Sequence, residues 1–446
     1  MRGKNARKRQ KKLTFGSWIN NLGEGALESV MSAKKEAQIT LPHSVCSDLQ
    51  TFSYPDRTQL YMLDLVYQFF AVLNQSLYPI EVCVAFDPAP SVYFEYLQRD
   101  ALFLHSALWT AQSYFDCIQG FQVSERALFH ECKAINQVQK RLNYPQTAVN
   151  DATIAVVVNF VLTTALVGHF STAKKHMAGL YQLLKLRGGL RQLKGNSQLQ
   201  IKICRADLSV ALLNGDRPLL LSDSNNWKPF LADVADTEFL KRHFQSFTLD
   251  RRLANTGTDL RRFCDSANMA FITSSKIDGP LFQETLISVQ YRLITLKFNE
   301  NGDEKEGSLN EAFRLALLAF STTVFLQLRG IKIRFSLLSA QLKDALLSQV
   351  VWADLRKMET VSLWVLFVAA IVAVTDEDDV WLVSLMNERL RGTESFISWH
   401  KVRSILKDFM WIGEIHDEDG KAVYSRMVRY AAVHKDSSSG IDVVLL

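Results

Sequence analysis

Apolar residues recur at helical spacing along most of this chain, and residues that break helices are scarce. The pattern is clear in one stretch, where intervals of four and three residues separate Leu199, Ile203, Ala206, Val210 and Leu213. Such spacing places the five side chains on one face of a helix. The 446 residues include only 20 glycines and 9 prolines, which leaves long runs without a helix-ending residue. The sequence therefore predicts an all-α fold, in which many helices bury their apolar faces against one another.

The breaks between these periodic segments divide the chain into a helical body and two tails. We expect about 13 helices in a multi-helix array over residues 51–433, packed ridges into grooves. Residues 1–50 are basic and polar and are predicted to be disordered, and residues 434–446 are predicted to form a flexible tail. The acidic stretch Asn299–Gly307 has the composition of a linker, so a sub-boundary is expected there.

The excess positive charge is concentrated at the N-terminus. Residues 1–12 hold seven of the 51 Lys and Arg residues, and the remainder of the chain carries 44 basic against 46 acidic groups. The body therefore lacks the basic excess that phosphate recognition requires. Six of the basic residues resemble a nuclear-import cluster, namely Lys4, Arg7, Lys8, Arg9, Lys11 and Lys12. We expect a nuclear protein, and the alternatives are a solvated tail on a cytoplasmic protein or nonspecific contact with nucleic-acid phosphates.

The cysteines and the apolar runs exclude two further classes of protein. Six cysteines are dispersed and none forms a Cys-x-x-Cys ligand pair, so they are predicted to be small apolar side chains in a reducing compartment. Three apolar runs are each 13 or 14 residues long, namely Ile154–Leu166, Leu315–Leu328 and Val361–Val374. A membrane-spanning helix needs about 20 residues, so we expect buried core helices and no membrane segment.

Sequence motifs that carry enzymatic chemistry are missing. The chain has no P-loop, no G-x-S-x-G elbow and no H-E-x-x-H zinc motif. The run His416–Gly420 is similar to a calcium loop, but Ile415 and Arg426 stand at two positions that need acidic ligands. We predict a solvated turn there, and we expect a non-enzymatic chain with no cofactor and no bound metal. Asp207, on an apolar helix face, is predicted to be a buried carboxylate paired with an arginine.

The stretch Ser171–Leu193 is the most distinctive part of the sequence. Ser171 is predicted to cap the N-terminus of a helix, because its hydroxyl can accept a bond from a backbone N–H group of the first turn. One apolar face is formed by Met177, Leu180, Tyr181 and Leu184. Gly188 and Gly189 then end the helix, since glycine adopts the left-handed conformation without steric cost.

This stretch is similar to a signature of the fungal-specific transcription factor regulatory domain, the helical region that accompanies two-zinc, six-cysteine cluster regulators. The residues that carry the resemblance are His176, Gly179, Leu180, Arg187, Gly188, Gly189 and Leu190. Further segments resemble landmarks of the same family and occur in its order, namely Met1–Arg9, Tyr54–Leu77, Glu311–Leu328, Leu363–Ala369 with Trp381, and Ser404–Trp411. The signature residues are interpreted as structural, because they supply no chemistry of their own.

The resemblance implies a nuclear regulator that acts through protein contacts or by sensing a small molecule between its helices. Its partners would be the transcription machinery or a homologous regulator. The family's zinc cluster needs two sets of cysteines at Cys-x2-Cys-x6-Cys spacing, which this sequence lacks. We therefore expect a regulatory portion that does not read DNA sequence by itself. A general helical scaffold without a transcriptional role is the alternative, and an enzyme on a helical fold is a third interpretation.

Overall fold

The computed structural model describes most of the helical body. The described residues are 49–69, 83–85, 92–193, 196–222, 238–244, 247, 249–273, 275–298, 304–372, 376–390 and 398–438. The basic cluster at residues 4–12 and the last eight residues of the predicted C-terminal tail lie outside them. Within the described ranges the chain forms seventeen α-helices of six residues or more and one pair of two-residue strands. The predicted all-α class is confirmed, and the predicted number of about 13 helices is wrong.

The chain divides into two compact units, and the first one contains four described helices. They are α1 (Leu60–Gln68), α2 (Val92–Arg99), α3 (Ala101–Ile118) and α4 (Glu125–Leu142). Helices α3 and α4 pack closely as a hairpin that is tied at both ends. At one end Arg141 donates to both carboxylate oxygens of Asp100, at 2.6 and 2.7 Å. At the other end the carboxylate of Asp116 accepts from the backbone N–H of Ser124 at 2.9 Å.

The second unit holds the remaining helices, within Tyr78–Ala85 and Pro145–Leu446. They are α5 (Asp151–Leu166), α6 (Phe170–Arg187), α7 (Ser197–Asn214), α8 (Glu238–His243), α9 (Arg251–Thr273), α10 (Gly279–Thr295), α11 (Glu304–Phe325), α12 (Ser336–Leu347), α13 (Gln349–Leu355), α14 (Glu359–Val372), α15 (Asp376–Leu390), α16 (Trp399–Phe409) and α17 (Gly413–Ser438). Strands β1 (Val84–Ala85) and β2 (Ile277–Asp278) pair in parallel. The stretch Asn299–Gly307 lies within this unit, and α11 begins inside it.

Single residues between helices account for part of the larger helix number. Asp100 separates α2 from α3, because its backbone is extended and its carboxylate accepts from the N–H groups of Leu102 and Phe103 at 2.9 and 3.2 Å. Ser348 separates α12 from α13 and is also extended. The apolar spacing continues across both positions, so periodicity alone merges each pair of helices into one.

The core of the second unit is built around α14. Every residue from Val361 to Ile371 on this helix is buried, and most of α11 is buried beside it. Trp364 is fully buried at the centre, and its indole N–H donates to the carbonyl oxygen of Met410 at 2.6 Å. The apolar runs on α5, α11 and α14 are therefore buried core helices, as predicted. None of the described helices combines the length and the apolar composition that a bilayer-spanning segment requires.

The run His416–Gly420 is not a solvated turn, because it lies in the first turns of α17. The imidazole of His416 is fully buried against the rings of Phe320 and Trp411, whose centroids are 4.7 and 4.9 Å away. Gly420 is buried as well, and a Cβ atom there would lie 2.7 Å from the ring of Trp411. The polar residues of this run predict a solvated turn, but the helix directs His416 and Gly420 into the core.

Candidate functional site

The signature stretch forms α6 and the turn that follows it. Its C-terminus has the hydrogen bonds of a Schellman motif, because Gly189 N–H donates to Leu184 O at 2.8 Å and Gly188 N–H donates to Lys185 O at 3.0 Å. The φ angles of Gly188 and Gly189 are +95° and +94°. The prediction that these two glycines end the helix is confirmed.

The predicted N-cap of this helix is wrong. Helix α6 begins at Phe170, and His169 occupies the N-cap position without a side-chain capping bond. The preceding helix α5 ends at Leu166, and Gly168 follows it with a φ of +83°, which turns the chain so that His169 N–H reaches the carbonyl oxygen of Thr164 at 2.9 Å. This turn starts α6 one residue before Ser171, which is exposed in its first turn.

The other signature residues make packing contacts. Arg187 pairs with Asp151 at the start of α5 and donates to the carbonyl oxygen of Val149 at 2.7 Å. Leu180 and Leu190 are buried, whereas Gly179 is exposed, and a Cβ atom added to it would have no neighbour within 4 Å. The His176 ring is half-buried with its centroid 5.5 Å from that of Phe160, and burial lowers its pKa. These contacts join α6 to α5, and the signature residues do not line the cleft described next.

A half-open cleft lies between α7, α10, α11 and α12 in the second unit. Its volume is about 360 Å³, within the range of small-molecule pockets. Much of its lining is apolar and includes Leu212, Ile294, Leu296, Leu318, Leu337 and Leu338. A cleft of this size with an apolar lining can hold the hydrocarbon part of a small ligand.

Three charged side chains of the cleft lining, Asp216, Glu311 and Arg314, are held in ion pairs. On α11, Arg314 donates from Nε and Nη2 to the carboxylate of Glu311 at 2.7 and 2.5 Å, and from Nη1 to the carbonyl oxygen of Leu293 at 2.7 Å. Asp216, after the end of α7, pairs with Lys174 at 2.8 Å. Both carboxylates in the lining thus have a cationic partner, and Arg217 adds an exposed positive charge at the rim.

Gly215 forms the corner at which the chain leaves α7 and enters the cleft lining. Its φ of +70° is left-handed, and its N–H continues the helix by donating to Ala211 O. A Cβ atom at this position would collide with the Cδ2 atom of Leu337 on α12. Only glycine meets both requirements without strain, and its small size lets Leu337 close over one end of the cleft.

The cleft was not predicted from the sequence. Its walls come from four segments spread over residues 211–341. The apolar spacing of each helix predicts that the helix is packed on one face, but it does not identify the neighbouring helices. One local signal exists, since Glu311 and Arg314 are a charged pair three residues apart at the start of an otherwise apolar run. That pair indicates a polar contact on a buried helix but does not name the helices around it.

Comparison with known proteins adds no further assignment. No protein-family model matches the chain, and no curated protein or solved structure is significantly similar to it. The resemblance carried by α6 and the other landmark segments therefore stays a prediction. The cleft is the feature of the described residues on which a function can be argued.

Proposed function

We propose that this chain is a non-enzymatic regulatory protein that responds to a small molecule bound in the cleft between α7, α10, α11 and α12. The observation that carries the proposal is the half-open cleft of about 360 Å³, whose lining combines apolar side chains with charged groups held in ion pairs. Apolar pockets with a few convergent polar groups are the usual form of ligand sites. Four helices meet there, so a ligand that contacts them all could bias how they pack.

The charges around the cleft favour an amphipathic anion as the ligand. Lys174 offsets Asp216, and Arg314 offsets Glu311, so that Arg217 and Lys297 leave the lining with an excess of positive charge. The apolar part of the lining suits a hydrocarbon chain. A medium-chain carboxylate combines both properties, and decanoate is the probe that we choose.

Binding of decanoate tests the proposed site directly. We expect decanoate, but not the neutral decanamide, to raise the melting temperature of the full chain and to give saturable heats in calorimetry. Arg217→Gln is expected to weaken binding roughly fivefold, since an exposed ion pair contributes up to about 1 kcal/mol. Gln341→Trp places a large ring in the cleft lining and is expected to abolish binding.

Asp344→Trp on the exposed side of α12 is the matched control and should leave binding unchanged. Equal binding by the wild type and by Gln341→Trp would contradict the proposed site. The absence of any saturable binding by decanoate would remove the support for ligand sensing and favour the helical-scaffold alternative.

The nuclear part of the proposal rests on the resemblance and on the basic cluster at residues 4–12. We expect a fluorescent fusion of the full chain to accumulate in the nucleus. Deletion of residues 1–12 should make the signal uniform, because import receptors bind clustered basic side chains. A fusion in which Lys8, Arg9, Lys11 and Lys12 are replaced by glutamine keeps the length and should behave like the deletion.

A uniform cytoplasmic signal for the full chain would contradict the nuclear assignment. Contacts with the transcription machinery or with a homologous regulator are the proposed output of the protein. The test for them is co-purification of defined partners with the full chain and with the Gln341→Trp variant.

A further inference from the structure

Two histidines of the first unit face each other in its interior. His105 on α3 and His130 on α4 are fully buried, and their Nδ1 atoms lie 2.9 Å apart. The outer nitrogen of each ring also has a partner, since His105 Nε2 is 3.1 Å from Asp56 Oδ2 and His130 Nε2 is 3.2 Å from the hydroxyl oxygen of Tyr61. We call this chain of four side chains the histidine latch, and its members are Asp56, His105, His130 and Tyr61.

When both rings are neutral, the hydrogen bonds of the latch have a single possible direction. The carboxylate of Asp56 can only accept, so His105 donates from Nε2 and its Nδ1 carries a lone pair. His130 must then donate from Nδ1, which leaves its Nε2 to accept from the Tyr61 hydroxyl. Burial lowers the pKa of both imidazoles, that of His130 to about 4, which keeps the rings neutral at pH 7.

A proton, and not a metal ion, fits between the two rings. Two nitrogens bound at about 2.05 Å to one tetrahedral zinc ion stand about 3.3 Å apart, whereas the observed 2.9 Å is a hydrogen-bond distance. Among the described residues there is also no group of three or more side chains that could hold a metal ion. The chemistry of the latch is therefore protonation.

The latch ties residues 49–69 to the hairpin of α3 and α4. Asp56 and Tyr61 both belong to this segment, and the histidines that they contact lie on the two helices of the hairpin. The apolar residues of α1, such as Leu63 and Val66, are buried in the same unit. Opening the latch removes these two polar ties and leaves the apolar contacts of α1 in place.

Protons act on the latch in two stages. A first proton can be accepted without breaking it, because the bond between the rings reverses and His130 then donates from Nε2 to the Tyr61 oxygen. A second proton places N–H groups on both facing Nδ1 atoms, and two positive charges meet at a hydrogen-bond distance. We propose that acid opens the histidine latch in this way and releases residues 49–69 from the hairpin of α3 and α4.

The charged groups around the latch favour the neutral state of the rings. Lys133 on α4 disfavours a positive charge on both histidines, and Arg126 on the same helix lies over the Tyr61 ring at 4.7 Å. Asp56 favours a charge on His105, but it is exposed, so its effect is weaker than that of burial. Of the other helices, α1 carries Asp64, and the ion pair on α2 is exposed at the surface.

Hydrogen exchange measured by mass spectrometry on the full chain tests the proposal. Between pH 7 and pH 4.5 we expect protection in α1 to fall roughly 50- to 100-fold after correction for intrinsic exchange rates. This factor follows from one histidine whose pKa is 6.5 in the open state and about 4 in the closed latch. In the His416→Gln variant, which lacks the buried titrating ring of the second unit, protection in α14 should change much less over the same range. His130→Gln should remove this pH dependence from α1, and His400→Gln, at an exposed position, should keep it.

A second measurement on the wild type stands independently of whether His130→Gln folds. Long-range proton–nitrogen NMR spectra at pH 7 should show the Nδ1–H tautomer for His130 and the Nε2–H tautomer for His105. The same tautomer on both rings would overturn the proposal. Unchanged protection of α1 at pH 4.5, or an equal loss of protection in α1 and α14 of the His416→Gln variant, would also overturn it.

Discussion

Replacing Trp364 with alanine is expected to lower the free energy of unfolding by about 4 kcal/mol, the usual range for a fully buried large aromatic side chain. The Trp364 ring is 0% exposed and packs against three aromatic rings from other helices, at centroid distances of 5.2 to 6.1 Å. They are Phe313, Phe320 and Phe409. The substitution also leaves the carbonyl oxygen of Met410 without the indole donor that it has now.

Urea unfolding monitored by circular dichroism measures this effect. Trp399→Ala is the matched control, because Trp399 is only half-buried at the start of α16. We expect the control to cost less than half as much as Trp364→Ala, since less apolar surface returns to water. Equal costs for the two variants would mean that α14 is not the centre of the core.

Acid is expected to destabilise the protein through His416. Its ring is fully buried, and burial lowers its pKa to about 3. Both ring nitrogens have polar neighbours, because Thr323 donates its hydroxyl to Phe320 O at 2.6 Å and so accepts from His416 Nε2, while Nδ1 lies 3.2 Å from Ile412 N and 3.1 Å from Ile412 O. Burial away from water is therefore what opposes a positive charge on this ring.

The sign of the effect follows from proton linkage. The folded pKa of His416 is below its ordinary value of 6.5, so the unfolded chain binds more protons between pH 6.5 and pH 3. The stability that the neutral ring provides is complete above pH 6.5 and is lost as the pH falls through this window. From pH 7 to pH 4 the loss from this one group is roughly 3 kcal/mol.

Urea unfolding at a series of pH values checks this prediction. His416→Gln cannot titrate, and its stability should fall less steeply between pH 6 and pH 4 than that of the wild type, by about 1.4 kcal/mol per pH unit. His400→Gln should keep the wild-type slope because His400 is exposed. Parallel slopes for the wild type and His416→Gln would show that this ring does not control acid stability.

Asp207 shows that the sequence can predict the burial of a side chain but not its distant hydrogen-bond partners. Its place on an apolar helix face predicted a buried carboxylate, and the structure confirms the burial. Its partners include the N–H groups of Leu219 and Leu220 at 2.8 and 3.0 Å and the hydroxyl of Tyr291 at 2.8 Å. Tyr291 is 84 residues away in sequence, so local spacing could not identify it.

Local chemistry also explains which helix ends were predicted. The end of α6 was predicted correctly because Gly188 and Gly189 act through their own backbone conformation, which does not depend on distant residues. The start of α6 was not, because it follows from the turn that Gly168 forms after the end of α5. The run His416–Gly420 was misinterpreted for a related reason, since its polar residues do not reveal that the rings of Trp411 and of the distant Phe320 cover His416.

The sequence by itself determined the helical class of this protein, the exclusion of membrane-length apolar segments and the capped end of α6. These properties arise from intervals of three or four residues and from single-residue backbone preferences, which act within one helix. Only the tertiary structure decided which buried histidines meet in the latch, which helices enclose the cleft and which tryptophan lies at the centre of the core. Those contacts join residues that are distant along the chain, and they depend on how the faces of several helices pack at once.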